Sequence, residues 1–225
     1  MTSSRFSIRD ASRHDLRPQG GPLAADVVGT PGDDDLSGGP EDDDIDGLAG
    51  ADTLSGGNGD DSLFGRSGND RLSGDAGEDR LSGGNDKDRL FGGDGEDEIH
   101  GGRGSDVIVG GLGNDELIGG DGRDVFRYDD LREARFLGEG FEEEIIDLSS
   151  KDWIDVSRID ADPTTAGDQA FVFVARFTGT IGELVTNFDE EEGETYIKVD
   201  IDGDANGDML IELEGDYRDF ANFIL

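Results

Sequence analysis

From Gly29 onward the chain repeats itself every nine residues, eleven times without a break, and no other property limits its folding so tightly. The units read GTPGDDDLS, GGPEDDDID, GLAGADTLS, GGNGDDSLF, GRSGNDRLS, GDAGEDRLS, GGNDKDRLF, GGDGEDEIH, GGRGSDVIV, GGLGNDELI and GGDGRDVFR. The first position is always Gly. The fourth is Gly32, Gly50, Gly59, Gly68, Gly77, Gly95, Gly104, Gly113 and Gly122, with Glu41 and Asp86 as the exceptions. The sixth is Asp34, Asp43, Asp52, Asp61, Asp70, Asp79, Asp88, Asp97, Asp106, Asp115 and Asp124. The eighth is a large apolar residue throughout, from Leu36 to Phe126. One such unit is an ordinary loop. Eleven in register describe a solenoid, and the apolar stripe distinguishes it from a repetitive linker, which has nothing to bury.

The pattern resembles the RTX nonapeptide repeat, G-G-x-G-x-D-x-U-x, whose members form calcium-binding parallel β-rolls. The resemblance implies an all-β chain. The first six positions of each unit are expected to form a turn, with glycine supplying positive φ. The last three are expected to form a brief strand whose central residue faces inward. Two units complete a coil, so residues eighteen apart stack. The aspartates then fall into two files, Asp34–Asp52–Asp70–Asp88–Asp106–Asp124 and Asp43–Asp61–Asp79–Asp97–Asp115. Carboxylates stacked at a strand spacing of about 4.8 Å repel unless a cation lies between them. Calcium suits such gaps, taking six to eight oxygens from carboxylates and carbonyls, whereas magnesium demands stricter octahedral geometry. Five gaps in one file and four in the other predict about nine calcium ions, with the eleven aspartates and the fourth-position glycines as metal-binding residues.

Composition agrees with this and excludes other classes. With 56 acidic and 19 basic residues, the formal charge is −37. A polyanion of this density repels nucleic acid and anionic membrane surfaces, so neither is an expected partner. The charge is split: residues 29–127 carry a net −18 and residues 128–225 a net −20, while 27 of the 38 glycines lie in the first of these regions. With no cysteine, disulfides, Cys-zinc sites and thiol nucleophiles are ruled out. The two histidines, His14 and His100, are 86 residues apart, which gives soft metals no ligand set. Arg71, Arg80 and Arg89 at outward seventh positions, and His100 at a ninth, read as surface residues.

Residues 1–28 are expected to be a flexible segment, residues 29–127 the roll, and residues 128–225 a small β-rich cap. A charged connector from Tyr128 ends in the exposed run Glu142, Glu143, Glu144. The segments WIDVSRI, AFVFVARF, GELVTNF, TYIKVDI and DMLIELEG then supply strands. A solenoid needs such a cap to cover its last coil.

The cap also resembles the C-terminal domain of serralysin-type secreted metalloproteases. The matching stretches are GGDGRDVFRY at 119–128, WIDVSRIDA at 153–161, TAGDQAF at 165–171, FTG at 177–179 with GEL at 182–184, and DIDGDANGDMLIELEG at 200–215. The chain departs from that family at Ile145-Ile146-Asp147-Leu148, where an I-x-D-F stretch is usual, and at Asn222, where an acid usually precedes the terminal apolar residues. The resemblance implies type I secretion through a signal at the RDFANFIL terminus, hence an extracellular location. It does not extend to catalysis, because the chain has no H-E-x-x-H and no G-x-S-x-G, and only 28 residues precede the roll. Asp200, Asp202, Asp204, Asn206 and Asp208 alternate along one loop at a spacing that can wrap a further cation, although Ile211 stands where an EF-hand carries Glu. The expected function is that of a secreted calcium-binding RTX protein, a monomer, whose partners are calcium and the type I secretion machinery. The alternatives are an adhesive or accessory module that holds a partner or polysaccharide, or a polysaccharide-modifying enzyme with an unrecognised site.

Overall fold

A computed structural model describes residues 6–7, 15–16, 26–129, 143–159, 171–174, 176, 178–191, 193–203, 209–217 and 220–225. They form β strands and turns, with no helix among the described residues. The strands in chain order are β1 (Phe6–Ser7), β2 (Asp15–Leu16), β3 (Asp26–Val28), β4 (Asp35–Ser37), β5 (Asp44–Asp46), β6 (Thr53–Asn58) and β7 (Ser62–Ser67). Then come β8 (Arg71–Ala76), β9 (Arg80–Asn85), β10 (Arg89–Asp94), β11 (Glu98–Gly104), β12 (Val107–Leu112), β13 (Glu116–Gly122) and β14 (Val125–Arg127). The last are β15 (Glu143–Ile145), β16 (Trp153–Asp155), β17 (Val172–Phe173), β18 (Glu183–Asp189), β19 (Glu194–Asp200), β20 (Met209–Leu213) and β21 (Phe223–Ile224).

Up to β16, successive strands alternate between two sheets. One has the order β1-β3-β5-β7-β9-β11-β13-β15-β20-β19-β18-β17, the other β2-β4-β6-β8-β10-β12-β14-β16-β21. Within the repeat every pairing is parallel and offset by eighteen residues, as in Leu72 opposite Leu90 and Leu63 opposite Leu81. The result is a parallel β-solenoid of about six turns, the β-roll expected from the nonapeptide.

The strands are longer than the expected three residues. In the middle of the roll they span six, from the seventh position of one unit to the third of the next, as in β8 and β9, which leaves only the fourth to sixth positions as turn. The cause is the period-2 alternation of a strand. Positions six, eight and the following one share a face, so Asp70, Leu72 and Gly74 all turn inward, and all three are buried. The eighth-position side chains are 0–1 % exposed from Leu36 to Phe126 and stack as two facing aliphatic files, the core of the roll. Each fully buried Leu or Ile contributes about 1.5–3 kcal/mol relative to exposure.

Pairing runs past Arg127 without interruption. β14 continues to β16 with Phe126 opposite Ile154, and β13 continues to β15 with Leu117 opposite Ile145. Part of the run Glu142–Glu144 differs from the exposed connector read in the sequence: Glu143 and Glu144 belong to β15, and Glu144 is half-buried, while Glu142 lies outside the described residues. Tyr128 is also buried, at 1 % exposure. The apolar demand of the open last coil draws these residues into the sheet. Beyond β15 the first sheet turns antiparallel through β20, β19 and β18, and each of the five apolar segments noted above contributes a strand. At the other end, Asp26–Val28 pairs with β5, so the sheet begins before Gly29.

Candidate metal centre

The eleven sixth-position aspartates all lie inside the roll, each 0–7 % exposed. In the nine from Asp52 to Asp124, one carboxylate oxygen is committed to holding coils together. The backbone N–H of Asp34 donates to Asp52 Oδ1 at 2.9 Å, that of Asp43 to Asp61 Oδ1 at 2.7 Å, and that of Asp52 to Asp70 Oδ1 at 2.8 Å. The ladder continues coil by coil to Asp106 N–H on Asp124 Oδ1 at 2.9 Å. These are charge-assisted bonds, stronger than neutral ones.

The second oxygen is the notable one. Oδ2 of Asp52, Asp61, Asp70, Asp79, Asp88, Asp97, Asp106, Asp115 and Asp124 is buried with no hydrogen-bond partner. A buried carboxylate oxygen left alone is costly. At the ends of the files the chain supplies its own donors. Asp34 Oδ2 accepts from Thr30 N at 2.5 Å, Asp43 Oδ2 from Gly39 N at 2.5 Å, and Asp152 Oδ2 from Ser149 N at 2.8 Å. Nine interior carboxylates thus lack what the terminal ones have.

Burial raises their pKa values accordingly. Loss of water pushes the carboxyls of Asp52, Asp79, Asp115 and Asp124 up to about 6, those of Asp61 and Asp88 to about 7, and that of Asp97 to about 8. The backbone N–H bond to each offsets part of this, and file neighbours such as Asp79 and Asp115 beside Asp97 add to it. Asp70 and Asp106 shift the same way for the same cause.

The first-position glycines shape the space around these oxygens. A Cβ on Gly83 would stand 2.5 Å from Asp88 Oδ2 and 2.8 Å from the carbonyl oxygen of Gly101. At Gly65 the neighbours are Asp70 Oδ2 at 2.5 Å and Gly83 O at 2.7 Å. Only hydrogen fits there. Fourth-position glycines line the turn edges: Gly68, at φ 130°, has no room for a Cβ against the Gly50 carbonyl oxygen, and Gly77, Gly95, Gly113 and Gly122 meet the fourth-position carbonyl of the preceding coil in the same way. Gly50 and Gly59 lie against Gly32 and Glu41, and Gly104 against Asp86, which itself holds φ 78°. Among the described residues no three His, Cys, Asp or Glu side chains converge as a metal-ligating group, so a cation in the roll must also draw on backbone carbonyls.

Three contributors escaped sequence reasoning. Asp152 extends one aspartate file, since Asp124 N–H donates to its Oδ1 at 2.9 Å. Asp147, the residue of the departing Ile-Ile-Asp-Leu stretch, accepts from both Gly119 N and Gly120 N at 2.7 Å. Their 28-residue offset hides them from an eighteen-residue search. Finally, fifth-position Asp33, Asp42, Asp60 and Asn69 each accept the fifth-position N–H of the next coil at 2.9–3.0 Å, running opposite to the sixth-position ladder.

Elsewhere, Arg71 stacks on Phe91 at 4.2 Å, Arg80 pairs with Glu98 at 3.0 Å, and Arg89 is exposed. His100 contacts Glu98 at 3.0 Å, on the outer face. Asp200 is buried opposite Glu183 on the neighbouring strand, and its Oδ1 accepts from Gly203 N at 2.7 Å. Asp202 is exposed in the following turn, while Asp204, Asn206, Asp208 and His14 lie outside the described residues. At the terminus, β21 pairs with β16, and Asn222 Nδ2 donates to the carbonyls of Ser150 and Asp152 at 2.9 and 3.0 Å.

Residues 41–225 match the family described as Peptidase M10 serralysin C terminal. The chain belongs to this family. The family match spans both the later repeats and the cap, in line with the unbroken sheets. Among solved structures, the serralysin C-terminal chain is similar to the AlgE6R2 subunit of the Azotobacter vinelandii mannuronan C5-epimerase, at 21 % identity over 88 % of this chain and 91 % of that one, with a TM-score of 0.40. The AlgE6R3 subunit of the same epimerase gives 20 % identity over 94 % and 86 % of the two chains, with a TM-score of 0.32. No curated protein matches.

Proposed function

We propose that this chain is a secreted calcium-binding module whose roll folds when it takes up calcium outside the cell, after export by a type I system. The nine buried Oδ2 atoms without donors carry the reading. They are hard oxygens beside backbone carbonyls, the donor set that Ca²⁺ accepts. The holders would be Asp52, Asp61, Asp70, Asp79, Asp88, Asp97, Asp106, Asp115 and Asp124, with carbonyls of the turn glycines. The bound ions would offset a net −18 in residues 29–127 and supply the counter-charge that the buried files lack.

Without cations, burying nine carboxylates opposes folding, so the chain stays unfolded where calcium is scarce. Outside, calcium at millimolar levels saturates sites with Kd of about 10⁻⁴–10⁻³ M, and binding energy becomes folding energy. The membership in the serralysin C-terminal family and the apolar terminus support export.

Circular dichroism over a calcium titration near pH 8 tests the folding reading: at that pH the β signal is expected only with calcium, and an identical spectrum in EDTA overturns it. A metal count on the loaded protein is expected near nine. An additional ion in the Asp200–Asp208 loop would raise that count. Release into the medium only in the presence of a type I transporter tests export.

A further inference from the structure

The turns of alternate units lie on opposite edges of the roll, and the two edges differ in charge. One edge carries the turns of the units beginning at Gly38, Gly56, Gly74, Gly92 and Gly110, which lead into β5, β7, β9, β11 and β13. Its third to fifth positions hold Glu41, Asp42, Asp60, Glu78, Asp94 and Glu96, all exposed, and no base. The other edge carries the turns that lead into β4, β6, β8, β10, β12 and β14. There Asp33, Asp86 and Asp121 are matched by Lys87, Arg103 and Arg123, also exposed. Arg103 Nε lies 3.9 Å from Asp121 Oδ2.

Each edge backs onto one file of donor-less carboxylates. Behind the acidic edge are Asp61, Asp79, Asp97 and Asp115, each 1–2 % exposed; behind the balanced edge are Asp52, Asp70, Asp88, Asp106 and Asp124. The acidic side chains are held against the turns they flank. Asp42 Oδ1 accepts from Asp60 N and Asp60 Oδ1 from Glu78 N, both at 3.0 Å. A divalent ion about 10 Å from one exposed carboxylate gains roughly threefold in occupancy at low ionic strength, and two such neighbours give about tenfold.

Resting on the calcium reading above, we infer that the roll contains two classes of cation site: the file Asp61–Asp79–Asp97–Asp115 holds calcium more tightly than the file Asp52–Asp70–Asp88–Asp106–Asp124. The edge charges, not the buried carboxylates, set the difference, because the buried ligands are the same residue type in both files.

The test strips calcium stepwise from the loaded full chain with a chelator and follows backbone amide shifts at Gly77 and Gly95 on the acidic edge and at Gly68 and Gly104 on the balanced one. In about 10 mM salt, where the screening length is near 30 Å, Gly68 and Gly104 are expected to move at free calcium about tenfold higher than Gly77 and Gly95. In about 1 M salt the two midpoints should converge. The double variant Glu78→Gln/Glu96→Gln should bring the acidic-edge midpoint up to that of the other edge, while Lys87→Gln/Arg123→Gln should tighten the balanced edge. All four amides moving together at low salt, the reverse order, or midpoints unmoved in both variants would overturn the inference while leaving the calcium reading intact. Amides indifferent to millimolar calcium would overturn the calcium reading itself.

Discussion

A single glycine hydrogen decides whether a coil can close. At Gly83 the nearest oxygens are a carboxylate and a carbonyl from different coils, and the side chain that would fill the space is as small as a methyl group. Gly83→Ala is expected to cost about 1–3 kcal/mol, the usual range for overpacking. Ser82→Ala next door, on the outer face, should stay within about 0.5 kcal/mol. Urea unfolding at saturating calcium measures both, and equal midpoints for the two variants would refute the cradle. The sixth-position aspartate divides its work at this same scale, with Oδ1 tying one coil to the next and Oδ2 left for a cation. The repeat made all eleven aspartates legible as ligands of one kind. That Asp34 and Asp43 have a backbone donor for Oδ2 was not legible, because it depends on the first coil lacking the six-residue strands of those that follow.

At the scale of elements, the join between roll and cap rests on two carboxylates outside the repeat. Asp147 caps two successive amides at Gly119 and Gly120, and Asp152 takes the place that a seventh aspartate of the Asp34–Asp124 file would hold. Replacing Asp147 by Ala leaves the buried Gly119 donor short of an acceptor and the exposed Gly120 donor to water, for an expected loss of about 1–3 kcal/mol. Hydrogen exchange at Gly119 and Gly120 should speed up, with Gly65 in the middle of the roll unaffected; unchanged exchange at both would show that β13–β15 pairing does not depend on Asp147. Strands β16 to β20 were visible in advance as apolar segments. Their arrangement was not, since the order β15-β20-β19-β18, parallel at its first pairing and antiparallel at the next two, joins segments that share no period.

For the whole molecule, the files make stability a function of pH and of calcium in opposite senses. Burial raises seven interior carboxyls from 3.8 to about 6–8, so the metal-free fold binds protons that the unfolded chain has released. Stability rises with pH only where the unfolded state holds more protons. Here it holds fewer between about pH 4 and 8, so metal-free stability falls as pH rises through that window, and below about pH 4 the difference disappears. In EDTA, the β signal is expected to grow as pH is lowered from 8 to 5. With calcium the trend reverses, because the cation requires the deprotonated carboxylates. Circular dichroism over pH, with and without chelator, gives both curves, and a flat chelated curve would show that the aspartate files do not oppose folding.

The sequence alone determined the coil. Eleven units in register, each with an aspartate and an aliphatic residue at fixed positions, read as the parallel roll that the nonapeptide resemblance implies, with the aliphatic side chain facing inward by strand alternation. What the tertiary structure decided is which oxygens are answered and which are not. That depends on the residue eighteen positions along, on a 28-residue offset to Asp147 and Asp152, and on which turns share an edge. Such relations follow from stacking coils in space, and a local pattern, identical from unit to unit, cannot distinguish the end of a file from its middle.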